Sequence, residues 1–161
     1  MASELTEERK AVIRSNWELV TPDSKGNGVA LFLKFFAAHP DYKNYFKDFK
    51  DMSEDELRVC PKLRAHGSIV IHNLTSIVEN LDDLECALAI MKKIVGAHYP
   101  RGMRMSHYEN LFKVFAEFLA SALGPAFDKA SEDAWGTVIT VLTSIIAEHL
   151  DVLAAGTSNE A

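Results

Sequence analysis

Two of the six histidines in this sequence fall where a polar ring has no ordinary reason to be. His66 shares a helical stripe with Leu63, Val70, Leu74 and Ile77. His98 ends a second stripe running through Leu84, Leu88, Met91 and Ile94. An imidazole turned toward an apolar interior needs a hydrogen-bond partner or a chemical role. Taken singly, each reads as a core histidine bonded to a backbone carbonyl. The two stripes, however, lie on consecutive helices joined by the short "ENLDD" loop, so the helices are expected to be antiparallel neighbours. Two imidazoles converging between apolar walls suit the axial positions of a flat metal cofactor.

The other four histidines read differently. His72 lies six residues beyond His66, about 600° round the helix, and points away. His39 precedes Pro40 at a helix seam and reads as a surface residue. His107, beside Ser106 in a first turn, reads as a cap or as solvent-exposed. His149 shares a stripe with Leu142 and Ile145 and reads as a satisfied inter-helix histidine. None shows zinc-ligand spacing with a cysteine or carboxylate.

Two glycines, Gly28 and Gly67, sit inside helical segments, where glycine costs about 1 kcal/mol relative to alanine. Each can mark a place where two helices cross closely. If Gly28 faces Gly67, Phe32 leans over the same cavity as His66 and Val70. Phe46, after the proline-started turn "HPDYKNYFKDF", is either ordinary core or one wall of a flat pocket, and by itself the sequence favours core.

The elements that must position these residues are helical. Pro22, Pro40, Pro61, Pro100 and Pro125 all fall at seams between apolar-periodic segments, where proline is tolerated. Between the seams the apolar period is that of a helix. Helices are expected over Thr6–Val20, Asp23–Ala38, Pro61–Asn80, from Asp82 or Asp83 to His98, from a Ser106 cap to Leu123, and from Ser131 onward. "KDFKDMSEDELR" has room for one small helix. The expectation is a single all-α domain over residues 1–153 with about seven or eight helices, followed by a polar, frayed tail over 154–161.

Composition excludes other classes. The chain has 161 residues, 48% hydrophobic and 25% charged, with a net charge of −6. The acidic balance argues against a nucleic-acid partner. No apolar run is expected to approach the ~20 residues that span a bilayer. "MASELTEERK" lacks an apolar signal core, so a cytoplasmic protein with no membrane partner is expected. Cys60 and Cys86 form no CxxC and read as free thiols. HExxH, GxSxG, P-loop and GxGxxG motifs are absent, which lowers the prior for an enzyme.

The order and spacing of several pieces resemble a globin over the whole length of the chain, and more specifically the intracellular haemoglobins of molluscs. The pieces are Trp17, "KGNGVALF", "HPDYKNYFKDF", "LRAHGSIV", "DDLECAL", "AHYPRGMRMSHYENLF" and Trp135 in "AWGTVI". The separation of 32 residues between His66 and His98 is slightly long for the family, and extra residues in the intervening loop would absorb it.

The resemblance implies a globin fold around haem b (iron protoporphyrin IX). It implies His98 as the proximal iron ligand and His66 as the distal residue, a hydrogen-bond donor to the ligand or a sixth iron ligand. Phe46 would stack on the macrocycle, and Phe32, Phe46, His66 and Val70 would form the distal pocket. Ile94, Met103, Tyr108 and Leu111 match haem-lining positions, Gly28 and Gly67 the family's close helix crossing, and Arg101 a basic group near a propionate. Asp48 departs from the pattern, since many globins place a propionate-pairing basic residue there. The implied function is reversible dioxygen binding for storage or transport, with carbon monoxide and nitric oxide as further ligands and a homodimer possible. The alternative is a six-coordinate globin in sensing, scavenging, or nitric oxide and nitrite chemistry, the last as a side activity.

Overall fold

A computed structural model describes residues 4–158. Among them are seven α-helices: α1 Glu7–Val20, α2 Ser24–Ala38, α3 Glu54–Arg58, α4 Pro61–Glu79, α5 Leu84–His98, α6 Met105–Leu123 and α7 Lys129–Ser158. Short 3-10 turns at Thr21–Asp23, Pro40–Tyr45, Tyr99–Arg101 and Gly124–Ala126 join them, and no strand occurs among the described residues. The fold is all-α, as the apolar period predicts. Each of the five prolines opens one of these turns or α4, within its first two positions, where its missing N–H leaves no helical bond unmade. The ends of the expected domain and tail, residues 1–3 and 159–161, lie outside the described residues. The part of the expected tail that is described continues α7 as helix.

Side-chain caps set most helix starts. Thr6 accepts from the Arg9 N–H at 3.3 Å, Asp23 from Gly26 at 2.9 Å and Asp83 from Cys86 at 3.0 Å. Two starts differ from the sequence expectation. Ser106 lies inside α6, whose N-cap is Arg104; there His107 Nδ1 accepts the Arg104 N–H at 3.0 Å. α7 opens at Asp128, not Ser131: the Asp128 carboxylate accepts both the Ser131 N–H, at 2.9 Å, and its hydroxyl, at 3.0 Å. A carboxylate suits the positive end of a helix, and the buried Ser131 serves as its donor.

The two tryptophans tie α1 to α4 and α7. Trp17 Nε1 donates to Thr75 Oγ1 at 2.9 Å, and Trp135 Nε1 donates to Asn16 Oδ1 at 3.1 Å. The indole rings meet at 5.7 Å between centroids. Each buried N–H is thus satisfied, so the aromatic core carries no desolvation penalty there.

The α2–α4 crossing is the tightest contact for the site. A Cβ added to Gly28 would sit 2.3 Å from the Gly67 carbonyl carbon, and one added to Gly67 would sit 2.6 Å from the Gly28 carbonyl carbon. Backbone packs directly on backbone, as the paired glycines suggest, and this brings α2 down beside His66.

Residues 80–83 link α4 to α5, with Asp83 capping α5 as expected. Two further expectations are corrected. Leu84 is 56% exposed; the buried stripe of α5 starts at Ala87, a turn inside the helix. Lys129–Thr157 of α7 is long and apolar enough to cross a membrane by length and composition. Glycine, threonine and serine interrupt its apolar run, but no charge occurs from Ala134 to Ala147. In this fold α7 turns Ala134, Trp135, Val138, Leu142, Ile146 and Leu150 into the core.

Candidate functional site

A crevice of about 960 Å³, its open mouth included, lies between these helices. Phe32 and Phe35 line it from α2, and His66, Val70, Asn73, Leu74 and Ile77 from α4. Met91, Ile94 and His98 close it from α5, and His107, Tyr108, Leu111 and Phe112 from α6. Tyr42, Tyr45, Phe46, Met103 and Leu142 complete the wall. Its size and apolar lining, with few polar groups, suit one large planar ligand.

His98 stands at the C-terminal end of α5. Its Nδ1 lies 2.7 Å from the Ile94 carbonyl oxygen. A carbonyl only accepts, so Nδ1 must carry the proton and donate it. Nε2 is thereby left with its lone pair, the form of imidazole that ligates a metal. The second-layer bond also fixes the ring's orientation.

His66 is held edge-on by two phenylalanines, with ring centroids 4.8 Å from Phe32 and 5.3 Å from Phe46. Burial pushes its imidazole below the usual histidine range, and the positive form of His98 and the Arg101 guanidinium push the same way. His66 therefore enters the site neutral at pH 7, with one N–H to donate.

Phe32, Phe46, His66, Val70, Ile94, His98, Met103, Tyr108 and Leu111 thus come together around one cavity. Arg101 does not line it; it is exposed on the Tyr99–Arg101 turn, and its charge reaches the site only by acting on His66. Asp48 pairs with Lys62 at 2.7 Å and offers no positive charge to the mouth. His72 points away, its Nδ1 held by the Ser68 carbonyl at 2.6 Å. His39 is not simply on the surface: it is half-buried, stacked on Tyr42 at 4.8 Å. His149 lies against α5 beside Gly96.

Tyr42, Tyr45, Asn73 and His107 were not expected in the wall. The signal available for the tyrosines was their placement in "DYKNYF" just ahead of Phe46. His107 does bond at its helix start, and it also faces inward.

The donor set fits a haem on internal grounds. One imidazole lone pair is prepared by the Ile94 carbonyl, a second imidazole stands across an apolar crevice, and Tyr108 Oη is buried in the wall without a hydrogen-bond partner among the described residues. Burial pushes that phenol up to about 12, so it is present as O–H. A buried orphan donor in a cavity wall calls for a partner that the wall itself does not supply.

Among the described residues, an all-helical shell closes an apolar crevice between two histidines. The Globin family model matches residues 29–146. The chain is 30% identical over 142 residues to a globin of Nerita albicilla, covering 88% of this chain and 90% of that one. It is 32% identical over 141 residues to a globin of Buccinum undatum, covering 86% and 96%. It is 26% identical over 151 residues to Hemoglobin-3 of Phacoides pectinatus, covering 93% and 97%. The chain belongs to the globin family, whose members bind haem and, through it, small gaseous ligands such as dioxygen.

Proposed function

We propose that this protein binds dioxygen reversibly at haem b, for storage or transport within the cytoplasm. The observation that carries the reading is the Nδ1–H bond from His98 to the Ile94 carbonyl, which leaves the Nε2 lone pair free to hold the iron. Bound haem would supply the iron that takes up dioxygen. His66 would donate its N–H toward that ligand, and Phe32, Phe46 and Val70 would keep water and protons away from it. Ile94, Met103 and Leu111 would supply the apolar bed for the macrocycle, Tyr108 would add a buried hydroxyl to it, and Arg101, exposed on its turn, would act through its charge alone. Two free cysteines accord with a reducing compartment.

His66→Leu tests the donor role. Oxygen dissociation is expected to rise roughly 10–100-fold, as for loss of a buried hydrogen bond worth about 1.5–3 kcal/mol. Carbon monoxide carries less charge, so its dissociation is expected to change far less. Stopped-flow ligand replacement measures both, and equal effects on the two ligands would rule out the hydrogen bond.

A second reading makes His66 a sixth iron ligand, in a sensing or scavenging protein. It draws on the same buried, neutral imidazole, which keeps one lone pair. The two phenylalanines packed against that ring favour the first reading. Nitric oxide dioxygenation or nitrite reduction would be a side activity of the same pocket.

A further inference from the structure

Three polar groups stand in series at the mouth of the crevice. The Arg104 N–H donates to His107 Nδ1 at 3.0 Å. An amide N–H can only donate, so Nδ1 holds the lone pair and Nε2 holds the ring proton. His107 Nε2 lies 3.1 Å from Tyr45 Oη and therefore donates to it. The phenol oxygen is thus used as an acceptor, and its own hydrogen is left over. Among the described residues Tyr45 has no other hydrogen-bond partner. The backbone amide at one end of the series fixes the direction of every bond in it.

The rings are held in place. His107 meets Tyr45 edge-on at 5.2 Å and Tyr42 at 5.0 Å. Asn110 Nδ2 donates to Tyr42 Oη at 2.8 Å. Gly102, in the left-handed region at φ 89°, turns the chain past the Tyr45 ring, and a Cβ there would lie 3.6 Å from Tyr45 Cε1. Tyr45 is 47% exposed yet lines the crevice, so it stands at the rim.

We propose that Tyr45 is a binding residue for the anionic rim of the bound haem, giving its hydroxyl hydrogen to a propionate carboxylate. His107 is the positioning residue that fixes which way that hydroxyl donates. This rests on the haem reading above and deepens it. It also bears on the departure at Asp48: an acid paired with Lys62 cannot anchor a carboxylate, whereas a phenol donor can. Hydrogen bonds to a charged acceptor are about twice as strong as neutral ones.

The test is the rate at which the ferric, haem-loaded protein gives up haem to an excess of a haem-free acceptor protein. It is run for wild type, Tyr45→Phe, His107→Phe and His107→Gln, each loaded with natural haem and with haem dimethyl ester. With natural haem, Tyr45→Phe is expected to lose haem about 5–10-fold faster, tenfold being about 1.4 kcal/mol. With the ester, whose propionates are neutral methyl esters and no longer carboxylates, the gap is expected to close to about twofold or less. His107→Phe falls between wild type and Tyr45→Phe, and His107→Gln, whose amide can accept and donate in the same two directions, returns close to wild type. Equal rates for wild type and Tyr45→Phe with natural haem would overturn the proposal, as would an undiminished gap with the ester. His107→Gln behaving like His107→Phe would overturn the positioning role. Failure of the haem reading is distinct, because wild type would then show no haem absorption band at all.

Discussion

His98→Gly is expected to lose haem more than about 100-fold faster than wild type, and to recover its haem spectrum when imidazole is added to the solution. The magnitude follows from what is removed. Deleting an outer partner of a metal ligand commonly costs roughly 10–100-fold in metal affinity, and here the ligand itself goes. What stays is a slot of imidazole shape, with the Ile94 carbonyl still placed to accept the Nδ1–H of a free imidazole. Recovery with imidazole, and none with a bulky amine that lacks the second N–H, separates loss of coordination from general damage to α5. Unchanged haem retention in His98→Gly would mean that another residue holds the iron.

Gly28→Ala and Gly67→Ala carry the largest expected effects on stability, and Gly136→Ala is the control. Alanine is worth about 1 kcal/mol over glycine in a helix interior, so propensity alone predicts stabilisation at all three. At Gly136 a Cβ meets nothing within 4 Å, and that gain should appear. At the crossing, the new methyl falls 2.3 Å from Gly67 backbone in one case and 2.6 Å from Gly28 backbone in the other. Backbone cannot turn aside as a side chain can, so α2 and α4 must separate. Overpacking costs typically 1–3 kcal/mol and occasionally more. With both partners backbone the upper part of that range applies, leaving a net loss of about 2 kcal/mol after the propensity gain. For a chain of this size that is roughly 4–8 °C in Tm, measured by thermal unfolding of each haem-loaded variant against wild type. Because Gly67 follows His66 directly, separation of the helices also moves the distal imidazole. Oxygen dissociation should therefore change in Gly67→Ala and stay unchanged in Gly136→Ala. A stabilised Gly28→Ala or Gly67→Ala would contradict the close crossing.

The parts of this molecule most legible in its sequence are those written in periodicity. His66 and His98 stood out because an imidazole on an apolar stripe is costly without a role, and Gly28 and Gly67 because an interior glycine is costly without a close neighbour. Both costs are local, so both can be read one segment at a time. The starts at Asp128 and Arg104 are harder to read: Asp128 and Ser131 are competing cap acceptors three residues apart, and at Arg104 the acceptor is His107, three residues into the helix, reaching back to the Arg104 N–H. Ser131 looked like a cap until burial made it a donor to Asp128. α7 shows a different limit. Its threonines break an apolar run on paper, yet the helix is still long and apolar enough by composition to pass for a membrane span, and Thr137, Thr140 and Thr143 return their hydroxyls to carbonyls four residues back.

The mouth of the crevice was the least legible part of the site. Tyr45 and His107 lie 62 residues apart and meet only through the fold. Neither sits on a periodic stripe, and the direction of their hydrogen bond is set by the backbone of a third residue. Arg101, carried over by family resemblance alone, proved to stand outside the wall, because the Tyr99–Arg101 turn aims it into solvent. Resemblance transfers a position, whereas the side chain's direction depends on the local turn.

The visible absorption spectrum of the ferrous protein, first without oxygen and then through an oxygen titration and its reversal, tests the central claim most directly. The account predicts a single broad visible band in the absence of oxygen, since His98 binds on one side and His66 stays packed edge-on against Phe32 and Phe46. It predicts conversion to two sharp bands on oxygenation and full return when oxygen is withdrawn. Two sharp bands already present without oxygen would show both histidines on the iron and contradict it.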